Sequence, residues 1–249
     1  MKYVEIYVKT ALSKSGLEST DYALNPYKGC EHRCVYCYSP YVIHMPLEEW
    51  NGVVYVKRNL PTVLDKELKK KKGFITIGTV TDAYQPAEKK YEITRKSLEV
   101  LRRHRRDISI LTKSSLILRD IDIIERIPHA EIGVTITTLQ EEWRRKIEPN
   151  ASSIDERLRI LEEFRGKAIT YAFIGPIFPD ILMDDLPELL NLLKELGVSY
   201  VIFDRFRYKE GMILPNFLEE IVKDADYYKV KMQIMRLIKS LKMRVYFEW

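Results

Sequence analysis

Three cysteines, Cys30, Cys34 and Cys37, fall within eight residues, and the rest of the chain has none. An odd number this tightly grouped cannot form a disulfide framework, which excludes the small disulfide-stapled folds. Spacings of four and three residues let one turning loop bring three thiolate sulfurs around a common centre, which suits a metal ion or an iron–sulfur cluster. Structural zinc takes four protein ligands, so it would recruit His32, His44 or a distant histidine to complete a Cys3His set. His32 lies inside the loop, which makes that arrangement awkward. Three thiolates are also what a four-iron cluster needs when one iron is left open to a small molecule. Spacing alone leaves both metals open.

Around this cluster, apolar β-branched runs alternate with helical patterns, the signature of βα units and a parallel sheet. A strand at Tyr22–Asn25 leads into the cysteine loop, and a helix over Pro61–Lys71 opens with proline at a first helical position. Strand Phe74–Gly78, helix Glu88–His104, strand Asp107–Thr112, helix Asp120–Ile127 and strand Glu131–Thr137 follow. Helix Ser153–Phe164, strand Ala168–Ile174, helix Leu186–Leu196 and strand Tyr200–Phe206 complete the alternation. Six such units are too few for a closed eight-unit barrel, so the pattern predicts an α/β partial (β/α)6 barrel, open along one side. We expect one domain over residues 1–249, with a core at 20–208. The remaining segment, 209–249, reads as helices and a final strand, Arg244–Phe247, packed on the barrel.

The 249 residues are 46% hydrophobic and 31% charged, enough to bury a sizeable core and incompatible with disorder as the main state. No stretch approaches the roughly 18 apolar residues of a membrane span, and the start lacks the apolar core of a secretion signal. A cytoplasmic protein with no membrane partner is expected. Forty-one Lys and Arg against thirty-six Asp and Glu leave +5, which permits nucleic-acid contact without demanding it. Gln occurs only at 85, 140 and 233 while Lys, Arg and Glu abound, the bias of proteins from hot environments.

The loop reads Asn25-Pro-Tyr-Lys-Gly-Cys30-Glu-His-Arg-Cys34-Val-Tyr-Cys37-Tyr38. It resembles the radical S-adenosylmethionine (SAM) superfamily, and within it the group related to spore photoproduct lyase, often labelled DNA repair photolyase-like proteins. Further blocks of that kind stand at Gly78-Thr-Val-Thr-Asp82-Ala-Tyr-Gln-Pro86, Leu111-Thr-Lys113-Ser, Val134-Thr-Ile-Thr137-Thr-Leu and Ile174-Gly-Pro-Ile-Phe-Pro179. Each is expected at the C-terminal end of a strand, where barrels of this kind collect their chemistry.

The resemblance implies a [4Fe-4S] cluster on Cys30, Cys34 and Cys37, with the amino and carboxylate groups of SAM on the fourth iron. An electron from a donor such as ferredoxin or flavodoxin would cleave SAM to a 5′-deoxyadenosyl radical that abstracts hydrogen from a substrate. Tyr36 is implied beside the adenine, and Lys113 with the methionyl carboxylate. Thr81 and Asp82 can accept hydrogen bonds from the methionyl ammonium, the group opposite in charge. Thr135 and Thr137 alternate on one face of their strand and can reach the ribose hydroxyls. Arg205 and Arg207 follow the last barrel strand and could meet an anionic substrate, with nucleic acid the leading class. Arg102 to Arg106 resembles a nucleic-acid patch, but it ends a helix, where cations offset the helix dipole.

The pattern also departs from that group. Spore photoproduct lyase resembles an enzyme that returns hydrogen from an additional cysteine, near the strand end occupied here by Thr79 to Thr81, and this chain has no fourth cysteine. Tyr38 and Tyr84 are the nearest aromatic hydroxyls that could serve instead, which argues against thymine-dimer lyase activity. Relatives carry arginine after the Glu-Pro that here reads Glu148-Pro149-Asn150, so a contact is lost or replaced. The alternatives are a zinc-binding module and an iron–sulfur protein that only passes electrons.

Overall fold

A computed structural model describes residues 1–16 and 19–249. Its strands are β1 (Lys2–Ile6), β2 (Leu12–Lys14), β3 (Tyr22–Leu24), β4 (Tyr27–Lys28), β5 (Val53–Lys57), β6 (Ile75–Ile77), β7 (Ile108–Thr112), β8 (Ala130–Thr135), β9 (Ile169–Ile177), β10 (Tyr200–Arg205) and β11 (Val245–Phe247). The helices are α1 (Ser39–Val42), α2 (Leu47–Gly52), α3 (Leu60–Glu67), α4 (Ala87–Tyr91), α5 (Ile93–Arg103), α6 (Ile121–Ile124), α7 (Glu141–Ile147), α8 (Ile154–Phe164), α9 (Pro179–Leu182), α10 (Leu186–Leu196), α11 (Asn216–Lys223) and α12 (Tyr227–Leu241). A 3-10 helix, Ser115–Asp120, leads into α6.

The main sheet has eight strands in the order β11-β10-β9-β8-β7-β6-β3-β2. Neighbours from β3 to β11 pair parallel, while β2 adds to β3 antiparallel. The end strands β2 and β11 do not pair with each other, so the barrel is open, as the count of six βα units predicts. Side chains of β8 and β9 are buried almost continuously, because strands of a parallel sheet are covered on both faces.

Local chemistry explains where the helices start and stop. Ser153 and Glu156 form a reciprocal capping box at the head of α8. Gly197, at φ 72°, ends α10 in the left-handed conformation that glycine adopts without strain. The helix expected over Glu88–His104 is instead broken at Glu92, which sits at φ 54°. The cause is Glu88, whose buried carboxylate accepts from Thr94 N at 2.9 Å and Arg95 N at 3.1 Å, capping a second helix. Tyr27 Oη and Arg119 Nη2 fill the rest of that carboxylate. Nothing in the periodicity of residues 88–104 carries such a contact.

A second sheet, ordered β1-β5-β4, stands beside the cysteine loop. Its strands escape the sequence pattern because β4 has only two residues and β1 pairs with β5 some fifty positions away. The run Arg102 to Arg106 is spent structurally: His104 lies 3.0 Å and Arg103 3.5 Å from Asp65, and Arg106 Nη2 donates to Leu68 O at 2.6 Å.

Candidate active site

The cysteine loop leaves β3, crosses β4 and closes at α1. Asn25 sets its origin: its Oδ1 accepts from Val80 N at 3.1 Å, and its Nδ2 donates to Thr79 Oγ1 at 3.0 Å. Gly29 follows at φ 93°, where a Cβ would stand 2.4 Å from Val53 O. Only glycine lets the loop pass this close to β5. Glu31 accepts from Tyr3 Oη at 2.7 Å and Ala87 N at 2.6 Å, tying the loop to both sheets' surroundings.

Cys30 is buried and Cys34 and Cys37 are partly so. Burial pushes the Cys30 thiol up to about 12, and it also raises Cys34 and Cys37. Cys34 feels Lys113 and Glu148, the first lowering and the second raising its thiol. Thiols held neutral in this way need a cationic centre to become thiolates, and coordination to iron supplies one. Among the described residues no set of three or more His, Cys, Asp or Glu side chains converges on a single ion. His32 Nδ1 lies 3.3 Å from Asp82 Oδ2, and His44 is exposed. Three thiols on one loop, with His32 engaged by Asp82, match the three-thiolate set that a four-iron cluster with one open iron takes.

Thr81 and Asp82 follow β6, beside the loop, but their oxygens are engaged. Thr81 Oγ1 donates to Gly29 O at 2.7 Å and accepts from Gln85 Nε2 at 2.9 Å. Asp82 accepts from Thr112 Oγ1 at 2.8 Å, Lys113 N at 2.9 Å and Tyr84 N at 2.8 Å. Burial opposes its charge, yet His32 and these donors hold the carboxyl well below the usual carboxylate range. Lys113 follows β7 and stands 5.9 Å from the centre of the Tyr36 ring. Burial disfavours its charge, but Cys34 and Glu148 outweigh that and raise the ammonium above its ordinary value.

Tyr36 is buried, packs on Phe178 with ring centres 5.5 Å apart, and donates its hydroxyl to Glu148. Glu148 also meets Arg157 at 2.5 Å, a pair with side chains 0% and 1% exposed. No sequence signal marks this pair, because α7 and α8 bring it together only in the fold. Thr135 ends β8 and Thr137 lies just beyond it. Both hydroxyls are buried and have no hydrogen-bond partner, which is the provision expected of a site built to receive a polar ligand. Such orphaned oxygens, with one buried and two half-buried thiols, fit a cluster and a polar organic cofactor.

The two tyrosines expected near the reacting carbon part company. Tyr38 is 46% exposed, donates to Thr79 O at 3.0 Å, and has Cys37, Lys113 and Asp204 as its electrostatic neighbours. Tyr84 is fully buried and its hydroxyl donates to Asp120 at 3.2 Å, so the structure sets it apart from Tyr38. The arginines divide similarly. Arg205 is exposed with no ion-pair partner among the described residues, whereas Arg207 donates to Glu248 O and lies 3.2 Å from Asp204. A polar cavity of about 410 Å3 runs past His32, Tyr84, Ser114, Asn150 and Ser152. Its lining includes His32 of the cysteine loop but none of the three cysteines.

The chain matches the Radical SAM superfamily over residues 24–204 and belongs to it. A radical SAM enzyme is thereby defined, and the cofactors common to that superfamily are SAM and a [4Fe-4S] cluster. An uncharacterised protein of Methanocaldococcus jannaschii is 31% identical over 88% of this chain and 83% of its own length. A radical SAM Nα-GlyT isomerase of Pseudomonas phage M6 is 24% identical over 71% of this chain, which spans 38% of that protein. Spore photoproduct lyase complexed with dinucleoside spore photoproduct superposes with a TM-score of 0.74 at 15% identity, covering 99% of this chain and 82% of the lyase. At that identity the likeness is one of fold. Among the described residues no helix is long and apolar enough to cross a membrane.

Proposed function

We propose that this chain cleaves SAM reductively and directs the resulting carbon radical to a hydrogen atom of a nucleic-acid substrate at the open mouth of the barrel. The observation that carries the cofactor assignment is the pair of buried, unpartnered hydroxyls of Thr135 and Thr137, at and just beyond the end of β8, in the sheet whose strand β3 leads into the cysteine loop. When bound, the cluster and SAM supply an electron and a reactive primary carbon. The chain's own residues hold and aim them: Cys30, Cys34 and Cys37 ligate iron, and Lys113 meets the methionyl carboxylate. Thr135 and Thr137 meet the ribose, while Tyr36 walls the adenine. Thr81 and Asp82 border the methionyl ammonium and, through the bonds given above, hold the loop in place. The electron comes from a small external donor of the ferredoxin or flavodoxin kind.

Three features support nucleic acid as the substrate class. Arg205 and Lys209 are exposed cations at the end of β10. Tyr208, 52% exposed and edge-on to Phe206 at 5.0 Å, and Tyr38 offer rings on which bases can stack. The lyase of the same fold is complexed with a dinucleoside. Tyr38, not Tyr84, is the hydroxyl placed to return hydrogen to a product radical.

The test is mass spectrometry of 5′-deoxyadenosine from reduced, cluster-loaded protein given SAM with and without DNA or RNA. Formation that nucleic acid stimulates is expected, with Tyr38→Phe forming 5′-deoxyadenosine but failing to complete product. Two or three phosphate contacts predict that log K falls against log salt with a slope of about −1.4 to −2.7. No 5′-deoxyadenosine with four irons per chain refutes the chemistry. Binding that is indifferent to salt refutes the substrate class.

A further inference from the structure

The short segment Ile147 to Asn150, running from the last residue of α7 toward α8, makes four hydrogen bonds to the cysteine loop. Val35 N donates to Ile147 O at 3.0 Å, and Asn150 N donates to His32 O at 3.3 Å. Asn150 Nδ2 donates to Glu31 O at 2.8 Å, and Tyr36 Oη donates to Glu148. Both intervals between cysteines, Glu31 to Arg33 and Val35 to Tyr36, are therefore tied to one segment that lies more than a hundred residues away. Within the loop the backbone offers little of its own, a single turn in which Cys37 N donates to Cys34 O at 3.1 Å.

The loop also contains Arg33 at φ 52°, a left-handed conformation that a side chain disfavours. Among the described residues its guanidinium reaches only Asn51 O, at 2.7 Å, on the exposed side. A strained residue persists where its surroundings over-determine it. Here the carbonyl before it, that of His32, and the amide two residues after it, that of Val35, are both held by the 147–150 segment. The segment is itself rigid: Arg144 Nη1 donates to Glu148 O at 3.0 Å and Ala151 O at 3.2 Å, and Glu148 is locked to Arg157.

We propose that Asn150 and Glu148 are positioning residues that hold the cysteine loop in its ligating shape before iron arrives. The inference takes iron as the ligand from the family assignment, but it concerns the shape of the loop itself. Metal then binds a loop whose ordering has already been provided by folding, which slows loss of the metal as well as helping its uptake.

Asn150 is exposed, so substitution there spares the core. Asn150→Ala removes the side-chain donor, and Asn150→Asp keeps its size while replacing the donor with an acceptor facing Glu31 O. The full-length metal-free chain is alkylated, and each cysteine is followed by peptide mass spectrometry in low urea. Loss of one hydrogen bond predicts about five-fold faster labelling of Cys30 and Cys34 in both variants, at an unchanged melting temperature. In the cluster-loaded chain a chelator removes iron faster by a similar factor. Labelling within about two-fold of the parent overturns the proposal, whatever iron does. So does faster labelling whose urea dependence matches global unfolding, which would mark Asn150 as structural only. A parent chain that takes up no iron would overturn the cluster assignment, while the labelling comparison would still judge the role of Asn150.

Discussion

The Glu148–Arg157 pair should dominate the stability of the site, and Glu148→Gln isolates it. Both side chains are withdrawn from water, at 0% and 1% exposure, and they meet at 2.5 Å. Arg157 otherwise donates to Ser152 O at 2.9 Å and Thr135 O at 3.0 Å, and its Nη2 has no hydrogen-bond partner. Neutralising the carboxylate leaves a buried guanidinium without a counter-charge, which costs about 3–5 kcal/mol. For a chain of this length that corresponds to a melting temperature lower by roughly 6–20 °C. Replacing both partners by uncharged groups, Glu148→Gln with Arg157→Met, should recover most of the loss, because well-packed apolar groups do as well as a buried pair. The pH dependence has a definite sign. Burial opposes the Glu148 charge, but Arg157 and Lys113 outweigh it and hold the carboxyl below its ordinary value. Its contribution is present above about pH 4.3, the value for an unfolded glutamate, and is lost as pH falls through the lower folded value. Calorimetry of the parent, the single and the double variant at neutral pH decides the matter. A single variant within about 3 °C of the parent, or a double variant no better than the single, would refute the reasoning.

Two other substitutions probe the mouth and the loop. Burial raises the Asp204 carboxyl to about 6 against the pull of Arg207, so its stabilisation is full below about pH 4 and lost as pH rises through 6. Asp204→Asn should add on the order of 2 kcal/mol at pH 8 and nothing at pH 4, measured by urea unfolding; an equal difference at both pH values would contradict this. Gly29→Ala places a Cβ 2.4 Å from Val53 O in a left-handed conformation, for which we expect a loss of about 2–5 kcal/mol and less iron per chain. Unchanged melting and iron content would show that the loop tolerates a shift away from β5.

The legible part of this protein is local. Cysteines spaced by four and three and apolar runs at helical and strand periods are properties of short windows, and the parallel strands from Tyr22 to Arg205 stand where that periodicity predicts them. Less local features were invisible for a reason. The break at Glu92 depends on a carboxylate folding back to cap the next helix, and β1 and β4 exist only through pairing with β5. Tyr38 and Tyr84 are alike as aromatic hydroxyls within family-like motifs, yet one is half exposed and the other is closed against Asp120.

The sequence by itself carried the family resemblance and the βα order, because its motifs and periodicities are encoded within short windows, while thiol spacing alone left zinc and a cluster both open. Tertiary structure decided which oxygens are free to meet a ligand and which are consumed. Thr135 and Thr137 keep unpartnered hydroxyls, whereas Thr81 and Asp82 are bound into the scaffold. It also decided that Glu148 and Asn150, far along the chain, grip the cysteine loop. A buried donor or acceptor is satisfied by whatever the fold brings within about 3 Å, and that distance has no counterpart in the order of residues along a chain.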